Sequence, residues 1–356
     1  MTPQEALRVL ISAPRRIALL ATVSPSNFEH EVARLAGLPS VGKRRLEFRY
    51  ATEPPNLSEV RAELEQAEQQ LAAAKERALA ERAAELLLEA QLAEARGCPE
   101  FSRLARRRYQ DSPNGQPVRE PLLRESDALA SAWCEQPPPL AHGLTESATV
   151  LSDDEADSRS LVSRMRRAIA EARLEVRVVC SRQLVPLAAV GDGFVQIAAG
   201  RRISTVDVER TVKHELDGHV RPMLRAKNQA FLLGVIGSAR GSDAQEGFAL
   251  LLERRSGFLG EARALELALR HRAGRLAHDG LPFEQAIEQL DDGAQPTEIV
   301  VRALCRAFRG GGLGREVAYL PALIEVEGAL AEDPTIEERL ASGRLSLPAA
   351  RALRSE

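Results

Sequence analysis

The sequence predicts a mainly helical α+β protein in which one small sheet stands beside a helix. Residues 58–96 contain neither glycine nor proline and consist largely of strong helix formers. Residues 174–200 are the only clearly strand-like region, with short β-branched segments separated by turn residues. Much of the remaining chain shows the three- and four-residue spacing of apolar side chains that is typical of amphipathic helices.

The composition is that of an ordinary globular protein without an extended basic surface. The chain has 356 residues, enough for one large domain or two modest ones. Its 48 lysines and arginines are balanced by 51 acidic residues, which argues against a nucleic-acid partner. The four cysteines are widely scattered and form no CxxC pair. This excludes a thiolate zinc ribbon and makes a disulfide framework unexpected.

The apolar segments of the sequence are too short or too interrupted to act as membrane signals. The N-terminal apolar run is broken by Pro14, Arg15 and Arg16, which makes it a poor signal-peptide core. The longest apolar run elsewhere, Ala230–Ile236, is far shorter than the roughly 20 residues of a membrane span. We therefore expect a soluble cytoplasmic protein without a membrane partner, and the sequence carries no signal for an oligomeric state.

Changes in composition divide the chain into three predicted regions. Residues 1–45 form a basic N-terminal extension with helical patterns near Glu5–Ile11 and Glu29–Ala36. Residues 46–143 form a helical region that ends in the proline-rich "EQPPPLAHG" and packs on the third region. Residues 144–356 form that third region, the domain that carries the candidate site.

The glycine-free segment 58–96 dominates the second region. Its apolar residues recur at steps of three and four, which predicts one long helix or two helices with a slight break. This apolar stripe is largely alanine, which is too small for a strong coiled-coil seam. We therefore expect the segment to pack on the rest of the protein.

Three predicted strands lead directly into one predicted helix. The strands are Leu174–Cys180, Leu184–Val190 and Gly193–Gly200, with a turn at residues 191–193. The helix begins in "ISTVDVERTVKHELDGH", where Ser204 or Thr205 can cap its first turn. Val208, Val212 and Leu216 come at steps of four and predict one buried edge. Strands followed by a helix that carries His-Glu are the order found at the centre of zinc peptidases.

The segment "HELDGH", His214–His219, carries the elements of a zinc site. Zinc catalysis needs three protein ligands, an open position for water and a carboxylate beside that water. His214 and His219 can supply two nitrogens, and Glu215 can act as the base. The third ligand must come from elsewhere, and "DAQEGFALLLE" offers Glu246, with Glu253 two turns further along the same face. The alternative is a chance pattern in a helix-rich protein.

The spacing of the two histidines predicts a local distortion of the helix. At about 100° per residue, side chains five residues apart point roughly 140° away from each other. A π-turn brings positions i and i+5 onto one face, and a broken turn has a similar effect. We therefore expect one of these at Leu216–His219. Gly218 makes either deformation easier, because glycine tolerates backbone conformations that other residues avoid.

These motifs resemble a known family of zinc peptidases, which includes the tubulin tyrosine carboxypeptidases of animals and bacterial relatives named for a "QEGLA" motif. The family's "HEIGTH" helix is similar to "HELDGH" here, and "QEGLA" is similar to "QEGFA", Gln245–Ala249. "FRGGGLGREVAYL", Phe308–Leu320, is similar to a later family stretch, with Arg315-Glu316 where Lys-Asp is usual. The resemblance covers roughly residues 45–330.

The resemblance implies a zincin-like metallopeptidase domain over residues 144–356 that removes a C-terminal residue from a peptide or protein. The implied Zn²⁺ ligands are His214, His219 and Glu246, and the implied catalytic glutamate is Glu215. Asp217 and Gly218 stand where the family motif has glycine and threonine. These two differences leave the residue preference open.

Substrate binding and oxyanion stabilisation require further side chains. A carboxypeptidase must bind a terminal carboxylate, and arginine can do so through two parallel hydrogen bonds. Arg309 and Arg315 are the candidates, because they fall on the family-like stretch. Tyr319 is the candidate donor to the oxyanion of the tetrahedral intermediate. Two other functions stay open: a zinc hydrolase of internal peptide or small amide bonds, and a non-catalytic, zinc-stabilised binding protein.

Overall fold

A computed structural model describes residues 1–38, 44–111, 120–139, 148–291 and 293–353, and most of them are helical. The helices are α1 Pro3–Ile17, α2 Leu19–Thr22, α3 Phe28–Ala36, α4 Ser58–Ala73, α5 Arg77–Glu94, α6 Phe101–Tyr109, α7 Glu120–Glu135, α8 Leu161–Glu171, α9 Thr205–Glu215, α10 Arg221–Asn228, α11 Leu232–Ile236, α12 Gly241–Arg255, α13 Glu261–His278, α14 Phe283–Leu290, α15 Thr297–Ala307, α16 Tyr319–Glu332, α17 Ile336–Leu340 and α18 Leu347–Ala352. In this part of the chain, no helix is long and apolar enough to cross a membrane.

Short strands form two small sheets. The strands are β1 Thr149–Leu151, β2 Arg177–Ser181, β3 Ala188–Gly191, β4 Phe194–Ala198 and β5 Arg202–Ser204. The larger sheet has the order β2-β4-β3, with β2 parallel and β3 antiparallel to β4. β1 and β5 pair antiparallel in the second sheet. The prediction of a mainly helical α+β fold is confirmed. The second sheet was not predicted, because three-residue strands are too short to show an alternating pattern.

The N-terminal helices belong to the folded core. Both predicted helical patterns are present as α1 and α3. Thr2 and Glu5 form a reciprocal capping box at the start of α1, in which each side chain accepts a hydrogen bond from the other residue's backbone N–H. The buried face of α1 packs in the same apolar cluster as α4 and α5. The division of the chain into three regions stays a prediction, and its boundary at residue 143 lies outside the described residues.

The prediction of one long helix over residues 58–96, or of two with a slight break, is wrong in one respect. The chain reverses at Lys75, whose φ of 63° is left-handed, and α4 and α5 pack against each other as a hairpin. Glu94 near the end of α5 accepts a hydrogen bond from the backbone N–H of Leu57, just before α4. A straight helix of this length would be roughly 58 Å long and would leave most of its apolar stripe exposed. The hairpin buries that stripe within itself and against α1.

The larger sheet supports the helix that carries the two histidines. Ser204 caps α9 as predicted, since its hydroxyl accepts a hydrogen bond from the backbone N–H of Asp207. Val208 and Val212 of α9 pack with Val195 and Ile197 of β4 in one apolar cluster. Helix α12, which carries Glu246, packs against α16 in a different apolar cluster. The two helices that carry the candidate ligands are therefore anchored in separate apolar clusters.

Candidate metal centre and active site

The predicted helix distortion is present between His214 and His219. Helix α9 ends at Glu215, residues Leu216–Val220 form one π-helical turn, and α10 continues from there. The extra residue in this turn places both imidazoles on one side of the helix. Their ring centroids are 5.1 Å apart and their Nε2 atoms 3.3 Å apart. The prediction that the helix departs from regular pitch here is confirmed.

Gly218 serves the distortion for a reason that differs from the expected one. It keeps a helical backbone within the π-turn, so its conformational freedom is not what the site uses. A Cβ atom at this position would lie 2.5 Å from the Cβ of Ala249 on α12. Glycine therefore permits close contact between the helix of the histidines and the helix of "QEGFA". Gly247 has the same function on the other side, where a Cβ would lie 2.3 Å from the backbone oxygen of Ala322.

The close contact at Gly218 predicts that a larger side chain at this position destabilises the protein. Gly218→Ala forces the two site helices apart, and we expect it to lower the free energy of unfolding by about 1–3 kcal/mol. Gly328→Ala is the matched control, because it lies in helix α16 with no heavy atom within 4 Å of the added Cβ. That control should be neutral or stabilising by about 1 kcal/mol.

Urea denaturation measures the free energy of unfolding of both variants. Ala249→Gly, alone and combined with Gly218→Ala, completes a double-mutant cycle. The Gly218→Ala variant should regain stability when Ala249 is also replaced, because the clashing methyl group is then gone. A Gly218→Ala protein as stable as the wild type would contradict this account of the contact.

Glu246 completes a group of three side chains that fit one metal ion. Its Oε2 atom lies 3.5 Å from Nε2 of His214 and 3.9 Å from Nε2 of His219. The three ligand atoms all lie within 4.8 Å of one another. Metal–ligand distances of about 2.0–2.2 Å place neighbouring ligands of a tetrahedral zinc site roughly 3.3–3.5 Å apart. Two nitrogens and one carboxylate oxygen at these separations are a suitable donor set for Zn²⁺.

Glu253, the other carboxylate on the same helix face, holds His214 in place. It is fully buried, and its Oε1 accepts a hydrogen bond of 2.7 Å from the Nδ1–H of His214. Arg263 donates two hydrogen bonds to Glu253, and a guanidinium nitrogen of Arg210 lies 3.7 Å from it. A histidine that binds metal through Nε2 commonly donates its other N–H to a carboxylate in this way. Glu246 therefore lies at the Nε2 side of His214 with the other candidate ligands, whereas Glu253 lies at its Nδ1 side.

The electrostatics of the ligand group favour a positive charge at its centre. Burial lowers the pKa of His214, but hydrogen bonds to Glu246 and Glu253 outweigh burial and raise this pKa to about 10. Burial also acts to raise the pKa of Glu246, yet His214, His219 and Arg315 together hold it well below its usual range. The buried carboxylates thus stabilise a cation between the two histidines, whether a proton or a metal ion.

Glu215 lies beside the ligand group and is free to act on a substrate. It is largely buried and borders the same cavity as the two histidines. Burial raises the pKa of its carboxyl group, and none of the residues placed in the structure donates a hydrogen bond to it. A buried carboxylate whose pKa is raised, and to which none of the described residues donates a hydrogen bond, is a candidate proton acceptor for a bound water.

One large cavity collects all seven predicted site residues. Its volume is about 600 Å³, and its walls include parts of β3 and β4 and residues 20–26 of the N-terminal region. The predicted residues in its lining are His214, Glu215, His219, Glu246, Arg309, Arg315 and Tyr319. Residues that are far apart in the sequence therefore face one shared space that is large enough for part of a peptide.

Arg315 and Tyr319 follow the glycine-rich segment Arg309–Gly314 at the end of α15, and both line the cavity with the candidate ligands. Arg315 donates a hydrogen bond of 2.9 Å to Oε1 of Glu246, whose other oxygen faces the histidines. The guanidinium carbon of Arg315 lies 5.9 Å from the centroid of the Tyr319 ring. Burial raises the pKa of Tyr319, and its hydroxyl has no hydrogen-bond partner among the described residues. Tyr319 is therefore available to donate to a bound molecule.

Arg309 occupies a more enclosed position than Arg315. Its Nε donates to the backbone oxygen of Arg306 at 2.9 Å, and one of its terminal nitrogens donates to Glu316 at 3.2 Å. Sequence reasoning gave no role to Glu316 or to Glu253, although Glu316 lies in the family-like stretch and Glu253 lies seven residues after Glu246 on the same helix face. It also missed Arg270, which lines the cavity beside Arg306. Only the three-dimensional arrangement identifies these residues.

Two histidines and a glutamate whose ligand atoms could hold one cation, with Glu215 buried beside them, resemble the arrangement of metal-dependent hydrolase sites. A model of the family described as microtubule-associated tyrosine carboxypeptidase matches residues 27–355, and the chain belongs to that family. The match reaches further in both directions than the predicted range of roughly 45–330. Comparison with curated proteins and with solved structures gives no match.

Proposed function

We propose that this protein is a zinc-dependent carboxypeptidase that hydrolyses the last peptide bond of a peptide or protein. The observation that carries the proposal is the convergence of His214, His219 and Glu246 in the wall of a large cavity. Membership in a family of carboxypeptidases supports the reaction class. The position of α9 beside the small sheet supports a zincin-like catalytic core.

The catalytic step assigns a separate task to each residue around the ligand group. A bound Zn²⁺ supplies Lewis acidity, which polarises a carbonyl group and lowers the pKa of water. Glu215 accepts the proton from the attacking water and then transfers it to the leaving amine. Tyr319 donates its hydroxyl hydrogen to the oxyanion that develops on the substrate. Glu253 keeps the Nδ1 proton on His214, so that Nε2 remains a ligand.

Arg315 has two tasks in the proposed mechanism. One terminal nitrogen positions Glu246, and the rest of the guanidinium group has no hydrogen-bond partner among the described residues. These free donors border the cavity and can bind the substrate near the reacting bond. Arg309 lines the same wall, but its bonds to Glu316 and to the backbone leave it fewer donors for a substrate.

Metal content and C-terminal cleavage test the proposal together. We expect one zinc ion per chain by elemental analysis and release of single C-terminal residues from a peptide panel by mass spectrometry. Chelation should abolish this release, and added zinc should restore it. Cleavage within the peptides would instead indicate an endopeptidase, and full activity after chelation would contradict the proposed zinc dependence.

Loss of one ligand should lower zinc content without a general loss of structure. His219→Ala removes one of three protein ligands, and we expect zinc to fall well below one per chain. His30→Ala is the matched control, since His30 is exposed on α3 and should leave zinc content unchanged. Circular dichroism of both variants checks the fold. Stoichiometric zinc in His219→Ala would contradict the assignment of this ligand.

A further inference from the structure

A cluster of arginines lines the cavity beyond the candidate metal ligands. It consists of five arginines with four acidic partners: Arg210, Arg263, Arg270, Arg306 and Arg309, with Asp207, Glu253, Glu266 and Glu316. All five arginines border the large cavity. Five positive charges against four negative charges leave one positive charge in excess. Such an excess next to a cavity is a place for an anionic group of a ligand.

The arginines of this cluster are unequally neutralised. Arg263 binds both Glu253 and Glu266, and Arg210 binds Asp207 with Glu253 nearby. Among the described residues, Arg270 has Glu266 as its one acidic partner, and it shares that partner with Arg263. The excess positive charge is therefore concentrated at Arg270 and at Arg306.

Arg306 is buried, and not all of its guanidinium N–H groups make good hydrogen bonds. Its Nε lies 3.4 Å from Oε1 of Glu316 but makes no hydrogen bond in the described chain. A terminal nitrogen donates to the backbone oxygen of Val185 at 3.5 Å, the limit of a hydrogen bond. Glu316 is also bound by Arg309, so one carboxylate serves two guanidinium groups. The side chain of Arg306 borders the large cavity, so an acceptor bound there could complete its hydrogen bonding.

The positive charge of Arg306 disfavours that of Arg270. Burial lowers the pKa of Arg270, and the nearby Arg306 contributes to bringing it to about 10. Burial also lowers the pKa of Arg306. An anion between the two guanidinium groups would remove this repulsion.

The pair lies within reach of the reacting groups. Both arginines line the large cavity together with Tyr319, whose ring stands beside Arg315. They also border a smaller cavity of about 220 Å³ that adjoins the large one and has partly apolar walls. A substrate residue bound at the ligand group could therefore extend along the large cavity towards the pair.

We propose that Arg270 and Arg306 form the binding site for the α-carboxylate of the substrate's last residue. This inference rests on the proposed carboxypeptidase function and assigns its specificity for chain ends to two residues outside the family-like motifs. Two planar guanidinium groups can each bind a carboxylate through parallel hydrogen bonds. Arg309 and Arg315, the candidates from the sequence, already bind Glu316 and Glu246 and hold those carboxylates in place.

Paired peptides test this site directly. Each peptide of the panel is synthesised with a free C-terminal carboxylate and, separately, with a C-terminal amide. For the zinc-loaded full chain, we expect Arg270→Gln and Arg306→Gln each to lower the ratio of kcat/KM for acid over amide by ~10–100-fold, mainly through KM. Circular dichroism spectra and zinc contents equal to those of the wild type show that the fold of each variant is intact.

Arg272→Gln is the matched control, two residues after Arg270 on α13. Its guanidinium lies 3.8 Å from the Sγ of Cys134, and it borders neither the large nor the smaller cavity. This variant should keep the full acid-over-amide ratio. Arg270→Lys retains the charge without the planar fork and should recover part of the ratio that Arg270→Gln loses. An unchanged ratio in both glutamine variants would overturn the proposal.

Calorimetric binding of the same peptides to zinc-loaded Glu215→Gln separates this inference from the proposed function. A preference for the acid form that disappears in Glu215→Gln/Arg270→Gln supports the carboxylate site, even if the wild type cleaves neither form. Equal affinity for acid and amide peptides in Glu215→Gln would reject the carboxylate site, even if the wild type hydrolyses peptides.

Discussion

Replacing Glu215 by glutamine is expected to abolish peptide hydrolysis while the protein keeps its zinc. Glutamine has nearly the same shape but cannot accept the proton of the attacking water. Removal of a positioned general base typically costs 10²–10⁴-fold in rate, and we expect kcat to fall by roughly that factor. The three proposed ligands are other residues, so zinc content by elemental analysis should remain near one per chain.

Glu209→Gln is the control for this experiment. Glu209 also lies on α9, but its carboxylate pairs with Arg164 on α8, away from the cavity. We expect its activity to match that of the wild type. If Glu215→Gln hydrolyses peptides at a normal rate, Glu215 is not the base. If Glu215→Gln loses its zinc instead, the residue acts as a ligand and the assignment of Glu246 must be reconsidered.

The parts of the site that the sequence predicted are those fixed by local spacing. The interval of five residues between His214 and His219 required a distortion if both were to face one point, and a π-turn is present there. Ser204 as the cap of α9 depended only on its neighbours along the chain. Such features need no knowledge of which segments meet in the fold.

Features that depend on contacts between distant segments could not be predicted in the same way. The reversal at Lys75 has no glycine or proline to mark it, and it exists because α4 and α5 bury more apolar surface against each other than either would alone. The contact of Gly218 with Ala249 is visible only when both helices are placed. Arg270 and Arg306 were two among many arginines until the fold brought them to the same wall.

The assignment of Glu246 as a ligand shows how both kinds of information combine. Spacing in "QEGFALLLE" offered two carboxylates on one helix face and gave no means of choosing between them. The family resemblance favoured Glu246. The structure places its Oε2 near both histidine Nε2 atoms, whereas Glu253 meets the opposite nitrogen of His214. We therefore predict different roles for the two carboxylates, with Glu246 as a ligand and Glu253 as the residue that orients His214.

Glu253→Gln is expected to weaken both zinc binding and the fold. Glu253 is fully buried, and it accepts hydrogen bonds from Arg263 and from Nδ1–H of His214. Glutamine fills the same space but leaves Arg263 and Arg210 with less negative charge between them. Breaking a buried ion pair on one side typically costs about 3–5 kcal/mol, and we expect a loss of that size in the free energy of unfolding by urea denaturation. Loss of a carboxylate behind a metal-bound histidine typically lowers metal affinity by about 10–100-fold.

The two effects of Glu253→Gln are separable, and the separation tests the role of the residue. Zinc affinity is measured by competition with a chelator of known affinity under conditions in which the variant is folded. Glu327→Gln is the control, because it removes the carboxylate of a surface pair with Arg254 and should change neither quantity appreciably. If the variant is destabilised but binds zinc as tightly as the wild type, Glu253 is a counter-ion for Arg263 and does not orient His214. If zinc affinity falls together with stability, Glu253 both neutralises Arg263 and orients His214 as a ligand.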